Sequence, residues 1–354
     1  MADDFQDFTI AAVQAAPIPL DRDASIDKAC HWIEKTAAAG ASLAVFGETW
    51  VPGYPQFGRW PAKAGFGGLL KSHIINGVEV PSPATDALCG AARRAGIDVA
   101  IGIAERDSLT QGSIYCCLLF IGREGVILGK HRKLKPTFWE RTVWGEGDGS
   151  TLRLYERPYA RLGGLNCWEH QMVLPGYALI AQGIQVHAAV WPGWTETRQE
   201  TLSQAFAMQA GAYVVMAGGL MRPEDIPAEL QEWYNPMNGD SAIYGPDGQL
   251  LAGPLLNEEG ILTATANIGH IMATKMWSDH AGHYTRPDVF DFRVNATPRR
   301  IATFSGRDEA MAAAVKPALA GGIESGAIRN GAELNGAFED LLPETKKGRR
   351  RARA

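Results

Sequence analysis

Apolar residues in this chain come as short unbroken runs separated by stretches with helical spacing. Phe8–Ala15 (FTIAAVQA) and Ser42–Phe46 (SLAVF) have the continuous apolar character of strands buried on both faces. Between them Ile26, Cys30, Ile33 and Ala37 recur on one helical face, with Asp23 as cap and Gly40 as terminator. An irregular stretch rich in aromatics and proline follows, then a helix near 84–95 and a strand over 98–104. Residues 113–121 and 126–128, joined by Arg123-Glu124-Gly125, predict a hairpin. A strand over 160–166 runs up to Cys167. After it the pattern predicts a helix near 173–182, a strand over 185–190, a helix over 196–210 and a strand over 213–217. Strands at 241–244 and 249–252 turn around Pro246-Asp247-Gly248, and a strand at 261–266 closes the series. Alternation of this kind is the α/β class, here with inserted hairpins and no tandem repeat.

Beyond about residue 300 the strand signal fades. The expected organisation is one domain over 1–300 and a C-terminal arm over 301–354, with a helix at 308–316 stopped by Pro317. The last nine residues, KKGRRRARA, hold six cations in a chain whose net charge is −5, so the basic end reads as a solvated tail and no nucleic-acid partner is expected. Five cysteines in a long chain, without framework spacing, point to a reducing cytoplasm. The acidic start has no basic segment of the secretory kind, and no apolar run approaches the ~20 residues of a membrane span.

Three segments carry candidate chemistry. In GGLNCWEHQ, Cys167 follows a strand and precedes a helix-like stretch, the layout of a nucleophile at an elbow, where a modestly lowered pKa would activate it. In VFGETWVPGYP, Glu48 ends a buried strand, where a carboxylate must be paired or catalytic and where burial raises its pKa toward that of a general base. GKHRKLKPTFWERTVWGEGDGS brings together Lys130, His131, Arg132, Lys133 and Lys135 before a glycine-rich loop. That run reads as a solvated basic strand or as an anion cradle, though it lacks the GK[ST] ending and carries Glu146 and Asp148. Asp279, His280 and His283 have metal-ligand spacing in a loop-like context, and no metal is expected there. His170 could suggest a Cys–His pair, and Met272 and Met276, at helical spacing, read as core.

Together the thiol, the carboxylate and the ammonium make the chain resemble the nitrilases of the carbon–nitrogen hydrolase superfamily, over roughly residues 8–292. The resemblance maps a Glu–Lys–Cys triad onto Glu48, Lys133 and Cys167, with Glu140 as a supporting second glutamate. RKLKPTxxERxxWGEGDGS, DHAGHYTRPDVF at 279–290 and Cys-Trp-Glu at 167–169 are more typical of nitrilases than of the related amidases. It implies a four-layer α-β-β-α sandwich, hydrolysis of a small-molecule nitrile through a thioimidate, no cofactor, and a homodimer extending into larger or spiral assemblies. In that reading the stretches near 54–80 and 222–238 serve assembly, or else act as pocket lids. Trp50, Pro52 and Tyr54 are natural wall material, with Trp168 and Trp191 singled out as substrate contacts.

Departures occur at Gly47, where relatives often have proline and where glycine would loosen the turn, at Cys116, commonly Asn, and at Gly239-Asp240-Ser241. An amidase acting on carboxamides, or a silent oligomeric scaffold, remains the alternative.

Overall fold

The computed structural model describes residues 5–194, 197–300 and 302. The first half contains β1 (Phe8–Gln14), α1 (Arg22–Ala38), β2 (Leu43–Phe46), α2 (Phe66–Ile75), α3 (Pro83–Ala95), β3 (Asp98–Arg106), β4 (Ile114–Gly122) and β5 (Val126–Arg132). The second half contains β6 (Tyr155–Glu156), β7 (Arg161–Asn166), α4 (Val173–Ile180), β8 (Val186–Trp191), α5 (Thr197–Ala210), β9 (Tyr213–Gly218), β10 (Leu220–Met221), β11 (Met237–Tyr244), β12 (Leu250–Leu256), β13 (Gly260–Ala266) and α6 (Ile268–Lys275).

These strands form two sheets. One runs β13-β1-β2-β3-β4-β5, the other β10-β11-β9-β8-β7-β6 with β12 paired to β11. Parallel pairing of β1, β2 and β3, and of β7, β8 and β9, explains the unbroken apolar runs, because each of these strands is covered on both faces. The period of two assigns the faces. Ile10 and Ala12 of β1 meet Val186, Ala188 and Val190 of β8 between the sheets, whereas Ala11 and Val13 turn outward under α1 and α3. On the other side Ala189 and Trp191 of β8 pack beneath α4 and α5. The layers are therefore α-β-β-α. Each fully buried Ile, Val or Leu contributes about 1.5–3 kcal/mol to holding the sheets together.

Several local expectations change. Asp21, not Asp23, caps α1, its side chain accepting from the Ala24 N–H. α2 forms inside the stretch read as irregular. Its FGGLLKSHII sequence has two glycines in the first turn and weak intrinsic helicity, but Phe66, Leu69, Leu70 and Ile74 pack on a buried aromatic cluster that outweighs propensity. α6 was also not expected. Asn267 caps it, and Met272 and Met276 are 55% and 67% exposed instead of core.

The basic run is not a solvated face either. β5 extends to Arg132, and Lys130 and Arg132 both bind the buried Glu105 carboxylate, Arg132 through two bonds of 2.7 and 2.8 Å. In the glycine-rich loop Glu146 pairs with Lys135, and Asp148 accepts from Ser150 and from the Arg299 N–H. These contacts close the loop on itself and on its neighbours.

The stretches near 54–80 and 222–238 pack on each other within the chain. Gln56 and Asn235 exchange hydrogen bonds of 2.8 and 3.0 Å, and Phe57 joins Ile226, Leu230 and Trp233 in one cluster. The described residues up to Arg299 belong to one compact unit. The helix expected at 308–316 and the basic tail lie outside the described residues. Among the described residues no helix is long and apolar enough to cross a membrane.

Candidate active site

The chemistry-bearing side chains sit just beyond the C-terminal ends of strands. Glu48 follows β2, Lys133 follows β5 and Cys167 follows β7. The Glu48 loop crosses β3 directly over Gly102, where a Cβ would stand 2.2 Å from Gly47 O and 2.4 Å from Thr49 N, so only glycine permits the approach. Gly47 itself is tightly held, with its Cβ position 3.0 Å from Gly219 N, so glycine admits a close contact there and does not loosen the turn. The Glu48 N–H donates to Trp191 O at 3.2 Å and ties the two sheets together at this end.

Cys167 opens a tight helical turn with φ +50°, a left-handed conformation uncommon for a residue with a Cβ and costing about 1–3 kcal/mol. The bracket around it is Glu169. Its carboxylate accepts from the Asn166 N–H at 2.9 Å and the Leu134 N–H at 2.8 Å, and lies 3.1 Å from His131 Nε2. Burial alone would raise this carboxyl, but His131 and the two amides hold it down to about 2. Glu169 thus joins the residues flanking Lys133 to the residue before Cys167. Sequence reasoning did not assign it. The Asn-x-x-Glu capping box was the available signal. Glu169→Gln replaces an acceptor with an N–H donor facing these groups. It is expected to lower kcat about tenfold with little change in KM, and to cost about 1–3 kcal/mol in thermal unfolding.

Four side chains converge. Lys133 Nζ donates to Glu48 Oε1 at 2.8 Å and to Glu140 Oε2 at 2.7 Å, and all three groups are buried. Glu140 is further held by the Tyr54 hydroxyl at 2.7 Å and the Thr137 N–H at 2.5 Å. Glu48 has a weaker second donor, the Cys116 thiol at 3.3 Å, and its Oε2 accepts no hydrogen bond. One oxygen of each carboxylate and Cys167 Sγ lie within 4.8 Å of one another. This is the one grouping of metal-site size among the described residues, and Asp279, His280 and His283 form none. Lys133 already supplies a cation between the two carboxylates.

Burial, reinforced by Glu140 and offset by Lys133, pushes Glu48 up to about 7. Burial would lower Lys133, but Glu140 and Glu48 more than reverse this and keep the ammonium charged. Cys167 departs from expectation. Burial and then Glu48 raise its thiol well above the usual range, only partly countered by Lys133. The sulfur therefore rests protonated and needs a base. His170 does not supply one, since its Nδ1 lies 2.6 Å from Cys167 O and its Nε2 2.9 Å from His187 Nε2.

Cys167 and Glu140 open onto a cavity of about 310 Å³, at the lower end of the range for small-molecule sites. Its walls include Tyr54, Phe138, Trp139, Trp168, Trp191 and Trp194. Trp168 and Trp191 are among the lining residues. Trp50 is not: its indole donates to Ala15 O in the core beneath the helices. Pro52 also lies outside the lining. Trp139 and Trp194 were missed and are clamped by the Arg59 guanidinium, 4.4 and 4.8 Å from their ring centres.

Two facing sheets thus bring a thiol, two carboxylates and an ammonium together beside one cavity. The carbon–nitrogen hydrolase model matches residues 9–276, and the chain belongs to that family, within which it groups with the nitrilases. It is 48% identical over 307 residues to Nitrilase 2 of an unknown prokaryotic organism, covering 86% of this chain and 98% of that one. It is 36% identical to the aliphatic nitrilase of Rhodococcus rhodochrous over 96% of this chain and 95% of the relative. Among solved structures, Saccharomyces cerevisiae Nit3, of the nitrilase superfamily, superposes with a TM-score of 0.64 at 19% identity, over 79% of this chain and 97% of that one. That likeness shows the fold.

Proposed function

We propose that this chain hydrolyses an organic nitrile to the carboxylic acid and ammonia, with Cys167 as nucleophile, Glu48 as general base, Lys133 as charge stabiliser and Glu140 as the anchor of Lys133. The observation that carries this reading is the buried thiol on an aromatic cavity, with a carboxylate that has an unpartnered oxygen and a paired ammonium packed behind it. Because Cys167 rests as a thiol, Glu48 takes its proton as sulfur adds to the nitrile carbon. Charge grows on the nitrile nitrogen, where Lys133 stabilises it and where the proton held by Glu48 is delivered, giving a thioimidate. Glu48, again a carboxylate, removes a proton from water as it adds to the thioimidate carbon. Glu48 returns that proton to the nitrogen of the tetrahedral adduct and then carries the hydroxyl proton to it, so that ammonia leaves, a thioester remains and Glu48 is a carboxylate again. A second water, activated in the same way, releases the acid and restores the thiol.

The aromatic walls favour an apolar substrate carrying a ring, with Thr137 and Gln199 among the neutral polar residues of the lining. Val173 and Leu174 on α4 and Met276 and Trp277 after α6 expose large apolar side chains, which supports assembly into a homodimer and larger arrays. The five free cysteines suit the cytoplasm. The test is ammonia release from phenylacetonitrile, benzonitrile, a dinitrile, cyanide and the corresponding amides. Turnover of the two aromatic nitriles is expected to exceed that of their amides by at least about a hundredfold. Turnover confined to amides would transfer the chain to the amidases, and turnover of neither would overturn the enzymatic reading.

A further inference from the structure

Cys116, on β4, is fully buried, with its side chain against Glu48. The Thr49 hydroxyl donates to Cys116 Sγ at 3.5 Å, which leaves the single thiol hydrogen to point at Glu48 Oε1, 3.3 Å away. Lys133 donates to the same oxygen at 2.8 Å. Glu48 Oε2, equally buried, accepts nothing. The charged and titratable groups facing this carboxylate are Lys133 after β5, Glu140 from the 138–142 turn, Cys116 on β4, Cys167 after β7 and the Tyr54 phenol, which donates to Glu140. Two donors thus occupy one oxygen while the other stays free.

We propose that Cys116 is a positioning residue which, with Lys133, occupies Oε1 of Glu48 and so makes Oε2 the oxygen that takes the proton from Cys167 and then from water. This rests on the reading of Glu48 as the base. The choice of a thiol has a chemical consequence. It is a weaker donor than a hydroxyl or an amide, so it orients the carboxylate while stabilising its charge only slightly, and the base stays strong. A hydroxyl in the same place would orient Glu48 as well but lower its proton affinity. A methyl group would remove the orientation and raise it.

The experiment compares the parent with Cys116→Ser and Cys116→Ala in two reactions over a pH series. One is kcat/KM for phenylacetonitrile. The other is alkylation of Cys167 by iodoacetamide, read at the Cys167 peptide by mass, which needs no nitrile turnover. The acid limb of both profiles is expected near neutrality in the parent, in line with Glu48 at about 7. Cys116→Ser should move that limb down by about half a pH unit or more, with KM changed by less than about twofold. Cys116→Ala should move it up and slow alkylation at neutral pH by about three- to tenfold. An acid limb unmoved in both variants, with only the melting temperature altered, would reduce Cys116 to packing and overturn the proposal. Should the parent turn over no nitrile, the alkylation profiles still decide the role of Cys116, and the failure falls on the proposed function alone.

Discussion

Cys167→Ala is expected to lower nitrile turnover by about ten-thousand-fold or more, since among the residues lining the cavity Cys167 carries the thiol and Cys116 does not reach it. His170, the nearest alternative, is engaged with the Cys167 carbonyl and with His187. The fold should persist, because the variant removes one buried sulfur and keeps the bracket in which Glu169 holds Asn166 and Leu134. The cost is about 1 kcal/mol of unfolding free energy, the size of a small cavity. Calorimetric titration with phenylacetonitrile should show binding within a few-fold of the parent, as the aromatic walls are untouched. Residual turnover of a tenth or more, or a collapsed melting transition, would remove Cys167 from the nucleophile's role.

Lys133→Met should be the most damaging single change to stability in the site. It leaves Glu48 and Glu140 buried side by side without the ammonium that now lies 2.8 and 2.7 Å from them. Breaking a buried pair in this way costs about 3–5 kcal/mol, and loss of the charge on the developing anion should reduce kcat by at least about a thousandfold. The pH dependence carries the diagnosis. Glu48 already stands at about 7 with Lys133 present, raised first by burial. Without Lys133 the folded state holds a carboxyl proton more tightly still, whereas the unfolded chain releases it at the ordinary carboxylate value. Stability of the variant should therefore rise as pH falls from neutral toward about 5. Adding Glu140→Gln, which removes one of the two negative charges, should restore part of the loss at neutral pH, as a double-mutant cycle read by chemical unfolding would reveal. A variant whose stability falls further on acidification would refute the arrangement of charges described here.

Much of the scaffold was legible from residue pattern. Unbroken apolar runs marked β1, β2, β8 and β9, because strands covered on both faces need no alternation. α2 and α6 were not legible. The glycines of α2 and the short span of α6 hide a period that appears only once neighbouring chain covers one side. The cations of β5 read as a solvated face because their partner, Glu105, lies on another strand, 25 and 27 residues away.

The site divides in the same way. Residue type beside a strand end raised Glu48 and Cys167 as candidates, whereas Lys133 was one of a run of cations in its segment and was picked out only by the resemblance to the nitrilases. Residue order alone could not reveal that Cys116 donates to Glu48 across 68 positions. Nor could it reveal that Glu169 reaches back 35 residues to Leu134, or that Trp139 and Trp194 line one cavity with Arg59 packed against both rings. The elements and their chemistry follow from local pattern and side-chain type. Which oxygen of Glu48 is free, how far the Cys167 thiol is pushed from ionising, and which rings wall the cavity depend on groups brought together by the order and facing of two sheets. That arrangement comes from burying the sheets against each other, and no local stretch of chain encodes it alone.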